Sequence, residues 1–404
     1  MFDDRYDNLF ETQPRVIASG EARPLIITNN PNLSSTARVL RQWLCGGDGA
    51  PLIGCVATRA KGELSNWLDN QGIPCHVTPM PMPSKRWPLP GMWHAWRLAN
   101  WARQQGVHLI HCNEHDIYPF ALMVKRLLNV PIVCHVRFRI SAPFCQWAFG
   151  SPQRQPDALL WTSRQQQQDC ADAIEGVVPA EKQHLIPLGV DLNQLGDIAS
   201  LRKQARAQWG VREDAIVLTA ACALRPIKNL DHFVDLVADI AHGDSRIVGL
   251  IAGGVPEGFE KYRDELLDRM ALTGLGSRLR WLGHVEPIEP LMAGSDIFVS
   301  TSEYETFGNS VCEAMACGTP VVGYRGGSVQ EVVGQTGRIV ETGDRRALTN
   351  AVKELVADGA ERKALGRAGR QRVATTFSPA ESLRKLRGIY ASILGSKRSK
   401  QWAA

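Results

Sequence analysis

Two glutamates, Glu305 and Glu313, are separated by seven residues in the run ETFGNSVCEAMACGTPVV. The second is flanked by Val311, Cys312, Ala314, Met315, Ala316 and Cys317, a segment expected to be apolar on every side. An ionised carboxylate buried there needs a cation, a set of donors or a ligand diol. A structural ion pair, or a first-turn glutamate favoured by the helix dipole, is the plainer alternative. Just ahead of it, Phe307-Gly308-Asn309-Ser310 falls between a strand end and a helix start. Unpaired backbone N–H groups and the helix dipole at such a junction suit an anion such as a phosphate, and Gly308 lets the backbone come close. Upstream, Arg225 and Lys228 in ALRPIKNLD place two cations on a loop. Alone they read as a solvated basic turn; beside an anion site they read as a diphosphate clamp.

The first half of the chain carries a second set of candidates. HCNEHDIY follows a strand, so Asn113, Glu114, His115 and Tyr118 are expected to line a cleft. His111, Cys112, Glu114, His115 and Asp116 are metal-ligand types. They crowd one short loop without a second ligand pair at a recognisable spacing, so no metal site is expected. In CHVRFRIS, His135 has a core histidine as its plainer reading, while Arg137 and Arg139 alternate with Phe138 and are expected to point one way, toward an anionic acceptor. The stretch SKRWPLPGMWHAWRLANWARQQ sets Lys85, Arg86, Arg97 and Arg103 among Trp87, Trp93, Trp96 and Trp101 with no acid. It suits either a stripe packed on the domain's own sheet or a peripheral membrane contact.

These residues must be positioned by regular elements, and two series of strand and helix signals provide them. The first runs through RPLIITNN, APLIGCVAT, PCHVTPM, VHLIHC and PIVCHVRF, with helix-like segments between. The pattern restarts with AIVLTAACAL, RIVGLIAGG, LRWLGHV, DIFVST and PVVGY. The alternation predicts an α/β protein of two Rossmann-like doubly wound domains facing a cleft, with ligands beyond the carboxyl ends of the strands. The expected limits are 1–193, 194–376, and a C-terminal helix with a basic tail over 377–404 that packs back toward the first domain.

Length and composition agree. At 404 residues, with 44% hydrophobic and 22% charged residues, the chain suits two soluble domains. Ten cysteines without a CxxC pair suit reduced thiols in the cytoplasm, and the N-terminal segment lacks the apolar core of a secretory signal. A net charge of +5 is compatible with phosphate-bearing ligands or an anionic membrane face. No helix-turn-helix, zinc-finger or aromatic RNA-binding pattern is present, so a nucleic-acid partner is not expected.

The ordered set of segments resembles a known family. LIAGG, LRWLGHV, PLMAGSDIFVSTSEYETFG, AMACGTPVVGYRGGSVQEVV and FSPAESLRKL are similar to the retaining glycosyltransferases of the GT-B fold, glycosyltransferase family 4. The resemblance is fainter in LIHCNEHD, NVPIVCHVRF and HLIPLGVD. It implies a nucleoside diphosphate sugar as donor, no metal or other cofactor, and a glycan or lipid-linked acceptor in polysaccharide or lipopolysaccharide synthesis. It implies that Glu305, Phe307, Gly308, Asn309 and Ser310 hold the donor, that Glu313 takes the ribose diol, and that Lys228 neutralises the diphosphate. His135 or Arg137 would stand near the reacting centre, and Asn113, Glu114, His115, Arg137 and Arg139 would meet the acceptor. The chain departs from the family pattern in having Ala223 where an arginine is common, with Arg225 nearby. It also has Asn32, Ser34 and Ser35 in a first loop that is often glycine-rich. An epimerase or hydrolase on the same scaffold, or a silent nucleotide-sugar binder, is the alternative reading.

Overall fold

The computed structural model of the protein describes residues 22–32, 35–46, 50–82 and 89–401. Ser34, Lys85, Arg86, Trp87, the first 21 residues and the last three lie outside the described residues. Two compact units emerge. One takes the described residues up to Thr162, with Cys170–Ile186 and the segment from Pro379 onward; the other takes Ser163–Asp169 and Pro187–Ser378.

The first unit holds a seven-stranded parallel sheet: β1 (Pro24–Thr28), β2 (Cys55–Thr58), β3 (Cys75–Val77), β4 (Leu109–Cys112), β5 (Ile132–Val136), β6 (Ala158–Trp161) and β7 (Gln183–Leu185). Their spatial order is β3-β2-β1-β4-β5-β6-β7. Every residue of β1, β2, β4, β5 and β6 is buried, as expected where helices cover both faces of a parallel sheet. The helices used below are α1 (Ser35–Cys45), α2 (Glu63–Asn70), α3 (Leu89–Gln104) and α4 (Tyr118–Leu128).

The second unit holds β8 (Ile216–Ala221), β9 (Ile247–Ala252), β10 (Leu279–Trp281), β11 (Ile297–Ser300), β12 (Val321–Tyr324) and β13 (Arg338–Val340), in the order β10-β9-β8-β11-β12-β13. In both sheets the strand order reverses beside the first strand, at β1/β4 and at β8/β11. A doubly wound sheet opens a crevice for ligands at that point.

The unit limits differ from those expected. Gln183–Leu185 forms β7 at the edge of the first sheet, and by Val190 the backbone is already held in the second unit, where its N–H donates to the Phe377 carbonyl at 3.0 Å. The helix Pro379–Gln401 packs in the first unit. There Tyr390 OH and His111 Nδ1 share a 2.5 Å hydrogen bond, and Arg387 donates to the carbonyls of Ala50 and Pro51. All ten cysteines are free thiols. No helix among the described residues is long and apolar enough to cross a membrane.

Candidate functional site

In the second unit the candidate residues gather where β8 and β11 part. After β8 the chain passes Arg225 into a short 3-10 turn, Pro226–Lys228, and Asn229 takes the left-handed conformation (φ 47°) that starts the helix Leu230–Ala241. The turn is tied to the segment after β11. Thr301 Oγ1 donates to the Lys228 carbonyl at 2.7 Å, Asn229 Nδ2 donates to the Thr301 carbonyl at 3.3 Å, and Glu303 N–H donates to the Ile227 carbonyl at 2.9 Å. This lacing brings Lys228 Nζ to 2.7 Å from Glu305 Oε1, and Ser302 Oγ donates to the same oxygen at 2.8 Å. Each partner of the ion pair keeps 17% of its side chain exposed. Beside it, burial pushes the Cys222 thiol up to about 12, with Lys228 pulling down and Glu305 pushing up.

Glycines allow the chain to close around Glu305. The loop after β12 lies so near that a Cβ on Gly326 would sit 2.1 Å from the Ser302 carbonyl oxygen. One on Gly327, at φ +58°, would sit 2.3 Å from that of Glu305. Ser328 N–H donates to the Glu305 carbonyl, and the hydroxyls of Ser163 and Ser328 both donate to the Thr306 carbonyl, at 2.9 and 2.8 Å. The peptide units of this turn are therefore fixed before any ligand arrives.

Gly308, at φ 92°, then starts the helix Asn309–Ala316. The expectation that this helix is apolar on every side is corrected. Val311, Cys312, Ala314, Met315 and Ala316 are buried, whereas Asn309, Ser310 and Glu313 are half-exposed. Spacings of three and four place these three residues on one face. Glu313 thus stands at the edge of the core, one helical turn along from the pinned turn. The Phe307 side chain is used in packing, edge-on to Phe377 at 5.4 Å, which leaves its backbone for a ligand. Arg225 is exposed, with its guanidinium 5.5 Å above the Phe259 ring.

The first-unit candidates lie differently. Asn113, Glu114, His115 and Tyr118, expected to line a cleft, are 0%, 3%, 6% and 0% exposed. Glu114 accepts from Thr28 Oγ1, Asn29 N and Asn113 Nδ2, and Arg137 donates to the Asn113 carbonyl and to Asn113 Oδ1. Burial raises the Glu114 carboxyl, opposed by the Asn29 N–H, Arg137 and Thr28, and it lowers Arg137 to about 10. Tyr118 donates to the Arg154 carbonyl. These side chains form a buried scaffold under the sheet's carboxyl end.

Arg137 and Arg139 do not point one way: the first is buried in this scaffold and the second is exposed. His135 is fully buried in β5, its ring stacked 6.0 Å from Trp43 and tilted against His111 at 5.8 Å. Neither ring nitrogen has a hydrogen-bond partner among the described residues. Burial drives it well below the ordinary histidine range, with Arg137 and His111 adding to the effect. Both residues considered for the reacting centre are therefore enclosed. No group of three His, Cys, Asp or Glu side chains among the described residues is arranged to hold a metal ion. In the run after β4, Glu114 and the half-buried Asp116 both line a surface cavity.

Residues 202–372 match the family Glycosyl transferases group 1, and residues 55–194 match Glycosyltransferase Family 4. The two matches follow one another along the chain. Lys228, Glu305 and Glu313 all lie in the first-named match. Among curated relatives, a D-inositol 3-phosphate glycosyltransferase 1 from Catenulispora acidiphila is 32% identical over 64% of this chain and 63% of its own length. The lipopolysaccharide core biosynthesis mannosyltransferase LpcC of Rhizobium leguminosarum is 29% identical over 44% of this chain and 51% of its own. The matched region thus spans less than two thirds of either relative. The crystal structure of Anabaena Alr3699/HepE in complex with UDP and glucose aligns over 92% of this chain and 100% of that one, with a TM-score of 0.80 at 21% identity. The fold is the two-domain α/β architecture of the GT-B glycosyltransferases.

Proposed function

We propose that the protein moves a hexose-type sugar from a nucleoside diphosphate sugar to an acceptor hydroxyl, with retention at the anomeric carbon. The observation that carries the reading is the Lys228–Glu305 pair at the β8/β11 crevice, set one helical turn from the half-exposed Glu313. In this reading Lys228, with the exposed Arg225 as a second charge, takes the donor diphosphate. Glu305 and the turn through Gly308 hold the sugar hydroxyls, and Asn309 and Ser310 offer helix N–H groups to phosphate. Glu313 accepts from the ribose diol. Charge developing on the departing diphosphate is met by groups already fixed in place, so the protein's own cations supply the electrostatic stabilisation without a metal ion. The relatives named for lipopolysaccharide core biosynthesis support a glycan or lipid-linked acceptor.

A peripheral contact with an anionic membrane belongs to the proposal. Helix α3 turns Ala95, Leu98, Ala99 and Ala102 inward and leaves Met92, Trp93 and Trp96 55%, 51% and 53% exposed. Helices α3 and α4 together carry Arg97, Arg103, Lys125 and Arg126 and no acidic residue.

Incubation with UDP-, GDP- and ADP-hexoses, followed by proton NMR of the sugar, tests the reaction. The expected product, whether glycoside or slowly released sugar, first appears with the donor's anomeric configuration. The inverted anomer, an epimerised nucleotide sugar, or nucleotide binding without turnover would each contradict the reading in favour of a different one.

A further inference from the structure

The loop after β9 is locked to the loop after β8, on the side of β8 away from β11. Cys222 N–H donates to the Ala252 carbonyl and Leu224 N–H to the Gly254 carbonyl, both at 3.0 Å. Between them Gly253 takes φ +151°, and a Cβ there would lie 1.7 Å from the Cys222 carbonyl oxygen, so only glycine fits this approach. Farther along the same loop, Phe259 N–H donates to the Pro256 carbonyl at 3.1 Å, and the Phe259 carbonyl accepts from Arg263 N–H at 3.1 Å. The half-buried ring is thus fixed at the start of the helix Glu260–Leu272.

Arg225 is the cation that meets this ring, with its guanidinium 5.5 Å from the ring centre. Its backbone is fixed as well: the Arg225 carbonyl accepts from Lys228 N–H at 2.9 Å, and Pro226 follows it. Among the described residues no ion pair or hydrogen bond holds the guanidinium. In this Arg225 differs from Arg202, Arg206, Arg269 and Arg345 of the same unit, whose charges are met by Asp296 and Asp235. The two cations of the turn therefore rest on different supports. Lys228 is paired with Glu305 on the β11 side, whereas Arg225 lies on an aromatic face on the β9 side and keeps its N–H donors uncommitted.

That difference has a chemical consequence. A carboxylate under Arg225 would orient it and cancel its charge; a ring face orients a guanidinium without neutralising it. An exposed arginine with no support also spreads over many rotamers, and that freedom is lost when it binds phosphate. The ring removes part of this loss before a ligand arrives. We propose that Phe259 is a positioning residue for phosphate binding, its ring holding the uncancelled Arg225 guanidinium ready for the donor diphosphate beside Lys228. This rests on the transfer reading above and adds to it a residue that acts through Arg225 without touching the donor.

The test is calorimetric titration of the full chain with UDP, GDP and ADP. The nucleotide that binds wild type is then titrated into Phe259→Leu, Phe259→Tyr, Arg225→Ala and the double variant Phe259→Leu with Arg225→Ala. Leucine keeps apolar bulk in the loop and lacks the π face; tyrosine keeps both. Arg225→Ala should weaken binding about tenfold or more, as for loss of a hydrogen bond to a charged group. Phe259→Leu should weaken it about two- to fivefold, and Phe259→Tyr should match wild type. In the Arg225→Ala background Phe259→Leu should bring no further loss, the sign of a residue that works only through Arg225. Wild-type affinity in Phe259→Leu, or an equal loss from it with and without Arg225, overturns the inference and leaves the donor site standing. A wild type that binds none of the three nucleotides removes the donor reading and this inference with it.

Discussion

At the residue scale the account rests on one cation. Lys228 is held by a short turn whose carbonyl accepts from Thr301, and its ammonium group is already paired with Glu305. Replacing it with alanine should remove about 2.7–4 kcal/mol of transition-state stabilisation, the range for a fixed electrostatic group, or about 10²–10³ in kcat. Glu305 keeps its hydrogen bond from Ser302, so the accompanying stability loss should be about 1–2 kcal/mol, a shift of a few degrees in melting temperature. Turnover by Lys228→Ala within about threefold of wild type would remove Lys228 from the chemistry. Glu313 is the counterpart residue. Its neighbours in the sequence suggested a carboxylate sunk among apolar side chains, and the helix instead turns it with Asn309 and Ser310 toward one half-exposed edge.

At the scale of elements, the helix Asn309–Ala316 is placed by what presses on it. The helix Gly359–Thr376 reaches its end through Gly366, where a Cβ would lie 2.0 Å from the Gly318 carbonyl oxygen, and through Gly369 against Met315. That contact leaves only the Asn309, Ser310 and Glu313 edge for a ligand. Helix α3 shows the opposite arrangement, a full apolar ridge left outside. Its Trp93 ring carries the Arg97 guanidinium 4.8 Å above it, an aromatic and cationic pairing suited to the headgroup level of a bilayer. Co-sedimentation should show the protein on vesicles containing anionic lipid and less on neutral ones, and Trp93→Ala with Trp96→Ala should weaken the anionic binding about tenfold or more. Equal recovery of wild type and double variant in the supernatant would show that the ridge serves something other than a membrane.

At the scale of the whole molecule, three buried histidines link stability to pH. Burial holds His111 at about 3, His115 at about 4 and His135 well below its ordinary range. In the unfolded chain each would titrate near about 6.5. Above that value the neutral forms cost nothing extra. As pH falls below it the unfolded chain takes up protons that the folded chain refuses, so stability drops by up to about 1.36 kcal/mol per pH unit for each histidine. Glu114, raised by burial, works in the opposite sense nearer the carboxylate range. The unfolding midpoint should therefore fall steadily between pH 6.5 and 5, before most carboxylates titrate, and His135→Phe should lose about one proton of that dependence. A midpoint constant over this interval would contradict the buried neutral state.

Long apolar runs bounded by turn residues fixed the doubly wound architecture, since parallel strands buried on both faces leave that signal. Strands β6, β7 and β13 do not stand out as strands in the sequence. ALLW is a short apolar run without periodicity, and Gln183–Leu185 is only half-buried. In the second unit the glutamate spacing and the basic turn were legible because each part of the candidate site lies within one strand-to-helix loop, after β8 and after β11. In the first unit residue type misled. Asn113, Glu114, His115, His135 and Arg137 are polar residues of the kind that bind ligands, yet they satisfy one another or lie among aromatic rings. Glu114 and Asp116 are both held by Asn29, far away in the chain, and no local pattern encodes that pairing.

The central claim, a nucleotide-sugar site built on Glu305, Glu313 and Lys228, is tested most directly by thermal stabilisation of wild type and Glu313→Ala with UDP, GDP and ADP. A nucleotide at 100 times its dissociation constant should add about 2.7 kcal/mol to the unit that binds it. The account predicts that one of the three raises the melting temperature of wild type and raises that of Glu313→Ala much less. Equal shifts in the two proteins, or no shift with any nucleotide at millimolar concentration, would contradict it.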